Sequence, residues 1–434
     1  MKFSLDGFKN AVQKGVFLPS SFAYGYVDEA KYEHYQHQLK WTERHVAETF
    51  EELKRRMSRC YYNNIVLAQT CALDYAALQF PAYSMLITED LAEDWLAIVD
   101  FHKKHARDHS IHQPLTAYID ASLLGFGESN DSLAITATPG NLLDFCVDVV
   151  FKSKEAAYIR EAAKQHGMPQ KMIDDNKASR EFWKGLFYKT VVLSALFHDI
   201  GYPWQFVDRI GSDLKKNASI LHPIDTAVSN IIEHFKDRMV MLPLRHYRTD
   251  FGNEPVNESD ELQKITTEAM KTHGFPGAIA FLSLNDAIRK YPSGQPLSMI
   301  QEFKVEWAAM GIFMHDMEGK HRELFPKLKV NVSQDPLSAI VSLADYLEEF
   351  NRPKVSFTSK KKESRMKYYS DCSVVDVNTD ADGILTVKMK YANKTGKAIA
   401  TAFKKRETSE YFDPGNGFVD LAPLGIKRVV YEQV

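Results

Sequence analysis

The run Val191-Val192-Leu193-Ser194-Ala195-Leu196 is apolar but for one serine and leads straight into Phe197-His198-Asp199-Ile200-Gly201-Tyr202. A helix this apolar belongs in a core, so the two polar side chains at its end must be compensated where they emerge. An imidazole nitrogen and a carboxylate oxygen side by side can bind one divalent cation, and the second carboxylate oxygen can reach another. The fold therefore has to bring further ligands to this point.

Residues 179–200 read as one long helix, capped by Ser179 and stopped by Gly201 and Pro203. Apolar residues at helical spacing predict further helices over 41–62, 90–126, 141–151, 154–166, 226–235, 258–272, 276–288, 299–314 and 336–350, with a loop over 132–139. The character changes after Asn351-Arg352-Pro353. Residues 373–377 and 384–391 alternate in the manner of strands around the turn Asp380-Ala381-Asp382-Gly383; 397–412 predicts a helix and 429–431 a closing strand. At 434 residues the chain exceeds one ordinary core. The expected fold is mainly α with a small C-terminal α/β domain, divided into an N-terminal helical region at 1–94, a metal-binding helical domain at 95–353 and the α/β domain at 354–434.

A formal net charge of -3 leaves no basic field of the kind that holds a polymeric nucleic acid, so that substrate class is disfavoured. The start, Met1-Lys2-Phe3-Ser4-Leu5-Asp6-Gly7, is broken by charge and glycine before an apolar stretch can develop, and no secretory signal is expected. No run reaches the roughly 18 apolar residues of a membrane span. Cys60, Cys71, Cys146 and Cys372 lack paired spacing and read as small core residues in a reducing cytoplasm. Lys360-Lys361-Lys362 reads as a solvated linker.

Further ligand candidates lie on both sides of the pair. His102, His105, His109 and His112 are three, four and three residues apart, which stacks them on one helical face. Downstream come His273 in Lys271-Thr272-His273-Gly274, His315 in Phe313-Met314-His315-Asp316, and Asp345 in Ser342-Leu343-Ala344-Asp345-Tyr346. A rival register takes His273, His315-Asp316 and Asp345 as the centre, but leaves the glycine-proline stop after Ile200 unexplained. His222 and His234 have no matching context and read as structural.

This order, His, then His-Asp, then two further His, then Asp, on a helical bundle, resembles the HD-domain metal-dependent phosphohydrolase superfamily. The pieces that carry the resemblance are Arg107-Asp108-His109-Ser110-Ile111-His112, Leu196-Phe197-His198-Asp199-Ile200-Gly201-Tyr202-Pro203, His273-Gly274 followed by Gly277-Ala278, and the helix from Asp335-Pro336 to Asp345, within roughly residues 95–352. It implies an HD-type helical bundle with His112, His198, Asp199 and Asp345 around a first metal. Asp199 would bridge to a second metal held by His273 and His315. Two departures stand out. Tyr202 occupies the place where many relatives have lysine, and the long interval between His112 and His198 keeps His109 as a rival first ligand.

Imidazole and carboxylate ligands suit divalent transition metals, Mn, Fe, Co, Ni or Zn. Two of them would support hydrolysis of a phosphate ester, by phosphomonoesterase or phosphodiesterase chemistry on a nucleotide or cyclic nucleotide. Asp199 is the central catalytic expectation. His109 or His105 is expected to protonate the leaving group or hydrogen-bond a ligand, and Lys271, Arg107 and Arg352 to contact phosphate. Tyr202 is expected beside the substrate, and Trp204 in the core or the pocket wall. The C-terminal domain is expected to serve substrate selection or assembly into a homo-oligomer. Two other readings are a di-iron oxygenase on a related fold and a catalytically silent nucleotide-sensing module, which has no need of six metal-binding side chains.

Overall fold

The structure, a computed structural model, describes residues 1–14, 109–127, 131–136, 141–165, 174–201, 269, 271–290, 299–317, 329–350, 352–353, 369–370, 372–391 and 394–434. The helices expected over 41–62 and 226–235, most of that over 258–272, and the lysine run at 360–362 lie outside these residues. So do Cys60, Cys71, His102, His105, Arg107, Tyr202, Trp204, His222 and His234. The described chain is mainly helical with a small sheet. None of its helices is long and apolar enough to cross a membrane.

The element order begins with β1 (Lys2–Phe3) and α1 (Leu5–Lys14), followed by α2 (His109–Leu123), α3 (Leu142–Lys152), α4 (Lys154–Gln165) and α5 (Lys177–Phe197). Then come α6 (Gly274–Lys290), α7 (Met299–Met314), β2 (Val330–Asn331), α8 (Pro336–Leu347), β3 (Arg352–Pro353) and β4 (Tyr369–Ser370). The chain closes with β5 (Cys372–Thr379), β6 (Ile384–Tyr391), α9 (Lys394–Phe412), β7 (Val419–Asp420) and β8 (Arg428–Gln433).

Helix α5 is the centre of the bundle. Its buried residues run from Gly185 to Phe197 with Lys189 the one interruption, as expected for a helix enclosed on all sides. It packs against α2, α3, α7 and α8; α8 also packs on α2, and α6 on α7. The cap differs from the sequence expectation. Asn176 is the N-cap, and its side chain accepts from the Ser179 amide at 3.0 Å, so Ser179 is the third helical residue and not the cap. Asn and Ser cap equally well, and the first of the two to meet the helical register takes the position. Two other helices start by the same device: Asn141 accepts from the Asp144 amide at 2.8 Å, and Asp335 from the Ser338 amide at 3.0 Å with Pro336 in the first turn.

The sheet has the order β1-β5-β6-β8. Strands β5 and β6 form an antiparallel hairpin whose turn needs a glycine: Gly383 has φ 80°, and a Cβ there would lie 2.2 Å from the Gly425 carbonyl oxygen. Strand β8 runs parallel to β6, a pairing that requires a long crossover, and α9 supplies it. The other edge, β1, comes from the chain's beginning, with Phe3 opposite Val375. The sheet is thus not drawn from residues 354–434 alone. Phe3 and Phe8 also meet Tyr118 of α2, with ring centroids 6.4 and 5.6 Å apart, and one hydrophobic core runs through bundle and sheet. The parallel pair β2–β7 ties the start of α8 to the segment after α9. Cys146 and Cys372 are buried free thiols.

One carboxyl in this core is costly. Asp120 of α2 is fully buried with neither oxygen hydrogen-bonded among the described residues, and burial, then the charge of Asp345, hold its pKa well above the usual carboxylate range. A raised acid pKa favours the folded state at low pH and is lost as pH climbs past the unfolded value of about 3.9. Asp120→Asn is therefore expected to raise stability at neutral pH, with a gain that shrinks to nothing toward pH 4 in urea titrations; equal stability at pH 7 would refute this. Asn176→Ala is expected to lower stability by about 1 kcal/mol through loss of the cap, read from the urea midpoint at unchanged slope.

Candidate metal centre

Five helix ends or faces converge at one point. His112 lies in the first turn of α2, His198 and Asp199 directly follow α5, and His273 directly precedes α6. His315 directly follows α7, and Asp345 lies in the last turn of α8. The two residues that terminate α5 and α7 use the same local device. The Nδ1–H of His198 donates to the Ala195 carbonyl at 2.6 Å, and that of His315 to the Ile312 carbonyl at 2.7 Å. Each thereby satisfies one of the orphan carbonyls at a helix C-terminus. A carbonyl only accepts, so in the neutral ring the proton sits on Nδ1 and the Nε2 lone pair faces inward.

Those lone pairs meet one carboxylate. Asp199 Oδ2 is 3.4 Å from His112 Nε2 and 3.4 Å from His198 Nε2, while Asp345 Oδ1 is 3.0 Å from His112 Nε2 and 3.8 Å from His198 Nε2. On the other side, Asp199 Oδ1 is 2.9 Å from His273 Nε2 and 3.5 Å from His315 Nε2. Within each pair the two Nε2 atoms are 3.0 Å apart. Nitrogens with inward lone pairs repel at that distance unless a proton or a cation lies between them. Donors about 2.1 Å from a shared cation, at octahedral to tetrahedral angles, are separated by about 3.0–3.4 Å, and the observed distances fall largely on these edges. His112, His198 and Asp345 form one group able to hold a metal ion; His198, Asp199 and His315 form another.

The rings are held from behind. Glu348, the C-cap of α8, places Oε2 against His112 Nδ1. Asp316 Oδ2 lies 2.7 Å from His273 Nδ1 and accepts from the His273 amide at 2.7 Å and the Gly274 amide at 3.4 Å, so it also neutralises the start of α6. Burial alone would lower the His273 pKa, but the charges of Asp316 and Asp199 lift it to about 10. His198 is likewise raised: burial, the largest single effect, lowers it, but the charge and hydrogen bond of Asp199, the charge of Asp345 and the Ala195 carbonyl together outweigh it. Asp316 is held low by its contacts with His273 against the opposing effect of burial. A cation entering here displaces protons.

Backbone contacts fix the spacing. A Cβ on Gly201 would lie 2.0 Å from the His273 carbonyl oxygen and 2.5 Å from the Gly277 nitrogen. One on Gly274 would lie 2.7 Å from the Phe313 carbonyl oxygen. Gly201 thus does more than stop a helix: it lets the turn carrying Asp199 press directly on the start of α6. Ser194 Oγ donates to the Ala308 carbonyl at 3.1 Å and ties α5 to α7 just below the site.

The structure brings His112, His198, Asp199, His273, His315 and Asp345 together. His109 begins α2, but its side chain, like that of Arg352 in β3, lies outside the described residues, as do Arg107 and Tyr202 entirely. Lys271 is exposed, two residues before His273. The His315-Asp316 pair splits: His315 faces Asp199, whereas Asp316 stands behind His273, so the two do not turn their ligand atoms to one point as the rival register requires. Glu348 and the backing role of Asp316 escaped the sequence reading. The available signal was Glu348 three residues after Asp345, on the same face of the α8 end. No family model, curated protein or solved structure matches this chain.

A carboxylate behind a ligating histidine orients the ring and raises its basicity. Glu348→Gln is expected to weaken Mn(II) binding roughly 10- to 100-fold in competition with a chromogenic chelator. Unchanged affinity would show that Glu348 does not serve the centre.

Proposed function

We propose that this chain is an HD-type metal-dependent phosphohydrolase acting on a nucleotide or related phosphate ester, with two divalent transition-metal ions at Asp199. The observation that carries the reading is the division of one buried carboxylate between two imidazole pairs, each pair turned toward a different Asp199 oxygen. His112, His198, Asp345 and Asp199 Oδ2 would hold one ion, and His273, His315 and Asp199 Oδ1 the other. Mn, Fe, Co, Ni and Zn all suit this donor set. When bound, such ions lower the pKa of a water, orient it and offset charge on the phosphoryl oxygens.

The side chains contribute the rest. Asp345 and His273 are the most open members, with side-chain exposures of 17% and 11% against at most 4% for His112, His198, Asp199 and His315. A substrate would therefore approach across Asp345 and His273. Lys271, exposed and two residues before His273, is a candidate for the charged phosphate contact that a tyrosine at 202 does not supply. Glu348 and Asp316 keep the ligand rings in place, and the buried walls keep bulk water away from the reacting group.

The test combines metal analysis of the purified protein with a screen of aryl phosphates, nucleotides and cyclic nucleotides in Mn(II). Two equivalents of metal and phosphate or ester release are expected, with Asp199→Ala at background for both. Release undiminished in Asp199→Ala would overturn the site. Bound iron with oxygen consumption and no release would assign the di-iron oxygenase reading instead, and neither metal nor release would assign the silent sensing module.

A further inference from the structure

Helix α9 belongs by sequence to the α/β unit, yet one of its faces is built around the metal centre. Lys404, Thr408 and Tyr411 are four and three residues apart and share that face. Lys404 is fully buried, a position a lysine tolerates only when paired. Its Nζ lies 3.1 Å from Glu349 and 2.6 Å from Glu407, donates to the Tyr346 carbonyl, and stands 4.4 Å from the Tyr346 ring centroid. Thr408 Oγ1 is 2.6 Å from the Tyr346 hydroxyl. These contacts grip the end of α8 between Asp345 and Glu349, the stretch that carries one proposed metal ligand and Glu348, the support of His112.

The same face reaches the other half of the centre. The Tyr411 hydroxyl donates to the backbone carbonyl of His315 at 3.3 Å. That carbonyl lies just past the end of α7, where helical partners run out. Tyr411 is itself buried against Tyr346 and Phe412, with ring centroids 6.4 and 5.7 Å away, which fixes its hydroxyl. One rigid stripe of α9 thus touches the backbone that presents Asp345 and the backbone that presents His315.

We propose that α9 is a positioning element of the metal centre, Lys404 setting the Asp345–Glu348 end and Tyr411 setting His315, so that the C-terminal unit tunes both ion sites. This rests on the reading of the six converging side chains as metal ligands. Lys404, Thr408 and Tyr411 would act through the backbone of α8 and of the turn after α7, not as ligands. A change in the sheet unit that shifts α9 would accordingly alter metal affinity without altering a ligand.

Co(II) titration followed by its visible absorption bands tests this on the full chain. Tyr411→Phe is expected to weaken one of two Co(II) equivalents by roughly three- to tenfold, the factor one ordinary hydrogen bond is worth, and to shift its bands while the melting temperature stays within a few degrees. Thr408→Val and the double variant Lys404→Met with Glu349→Met, which removes one charge of each sign, are expected to weaken the other equivalent. Wild-type affinities and spectra in all three would overturn the proposal, as would lowered melting temperatures with unchanged cobalt spectra. A wild-type chain that takes up no Co(II) would overturn the metal reading beneath it, a result distinct from two bound equivalents that the variants leave untouched.

Discussion

The arrangement of the bundle follows from four imidazole Nε2 atoms turned toward one buried carboxylate, that of Asp199. A side chain can be presented inward from the flank of a helix or from its end. Here two helices stop at the site, α5 at His198 and α7 at His315, and a third, α6, begins beside it at His273. The ends suit the contents. Carbonyl ends of helices carry partial negative charge and favour a cation, while the amide end of α6 is met by Asp316. Helix lengths that would be arbitrary in a purely apolar bundle are set by this point.

Tolerance is small because backbone lies on backbone. Gly201 against the His273 carbonyl, and Gly274 against that of Phe313, leave no room for a methyl group. Any displacement of α6 relative to α5 or α7 would change the separation of the Nε2 pairs directly. Elsewhere in the bundle side chains cover side chains, as where Arg160 and Arg180 lie over the Phe151 ring at 3.9 and 4.4 Å. Such contacts can slide by fractions of an ångström at little cost. Close backbone contact around the polar cluster is what a preorganised site requires.

What the sequence revealed depended on how local each signal is. His198 beside Asp199 at the end of an apolar run is a local fact, and the helix over 299–314 was legible to the residue because Met299 and Met314 bound a continuous apolar pattern. Convergence of His112, His273, His315 and Asp345 on Asp199 is non-local, and came from resemblance in order and not from spacing. Glu348 was missed because its role depends on the opposing helix, where His112 presents Nδ1. The cap of α5 was misplaced by three residues because Asn176 and Ser179 carry equal local weight. Strand β1 was invisible: two residues, Lys2 and Phe3, have no periodicity, and only the sheet edge beside Asp376 and Val375 makes them a strand.

The two halves of the centre are built alike, and the likeness bears on what can occupy it. Each pairs a ring backed by a carbonyl, His198 or His315, with a ring backed by a carboxylate, His112 or His273. Asp199, Asp345, Glu348 and Asp316 bring four negative charges into a largely dry interior, where uncompensated charge is strongly destabilising. Within each Nε2 pair, 3.0 Å apart, there is room for one proton or one cation between the two nitrogens. Two divalent cations, as proposed, would bring four positive charges to the points where the lone pairs aim. On the proposed reading, cations that bind the folded chain and not the unfolded one would stabilise the fold by mass action, and their affinity would draw on the relief of this crowded charge.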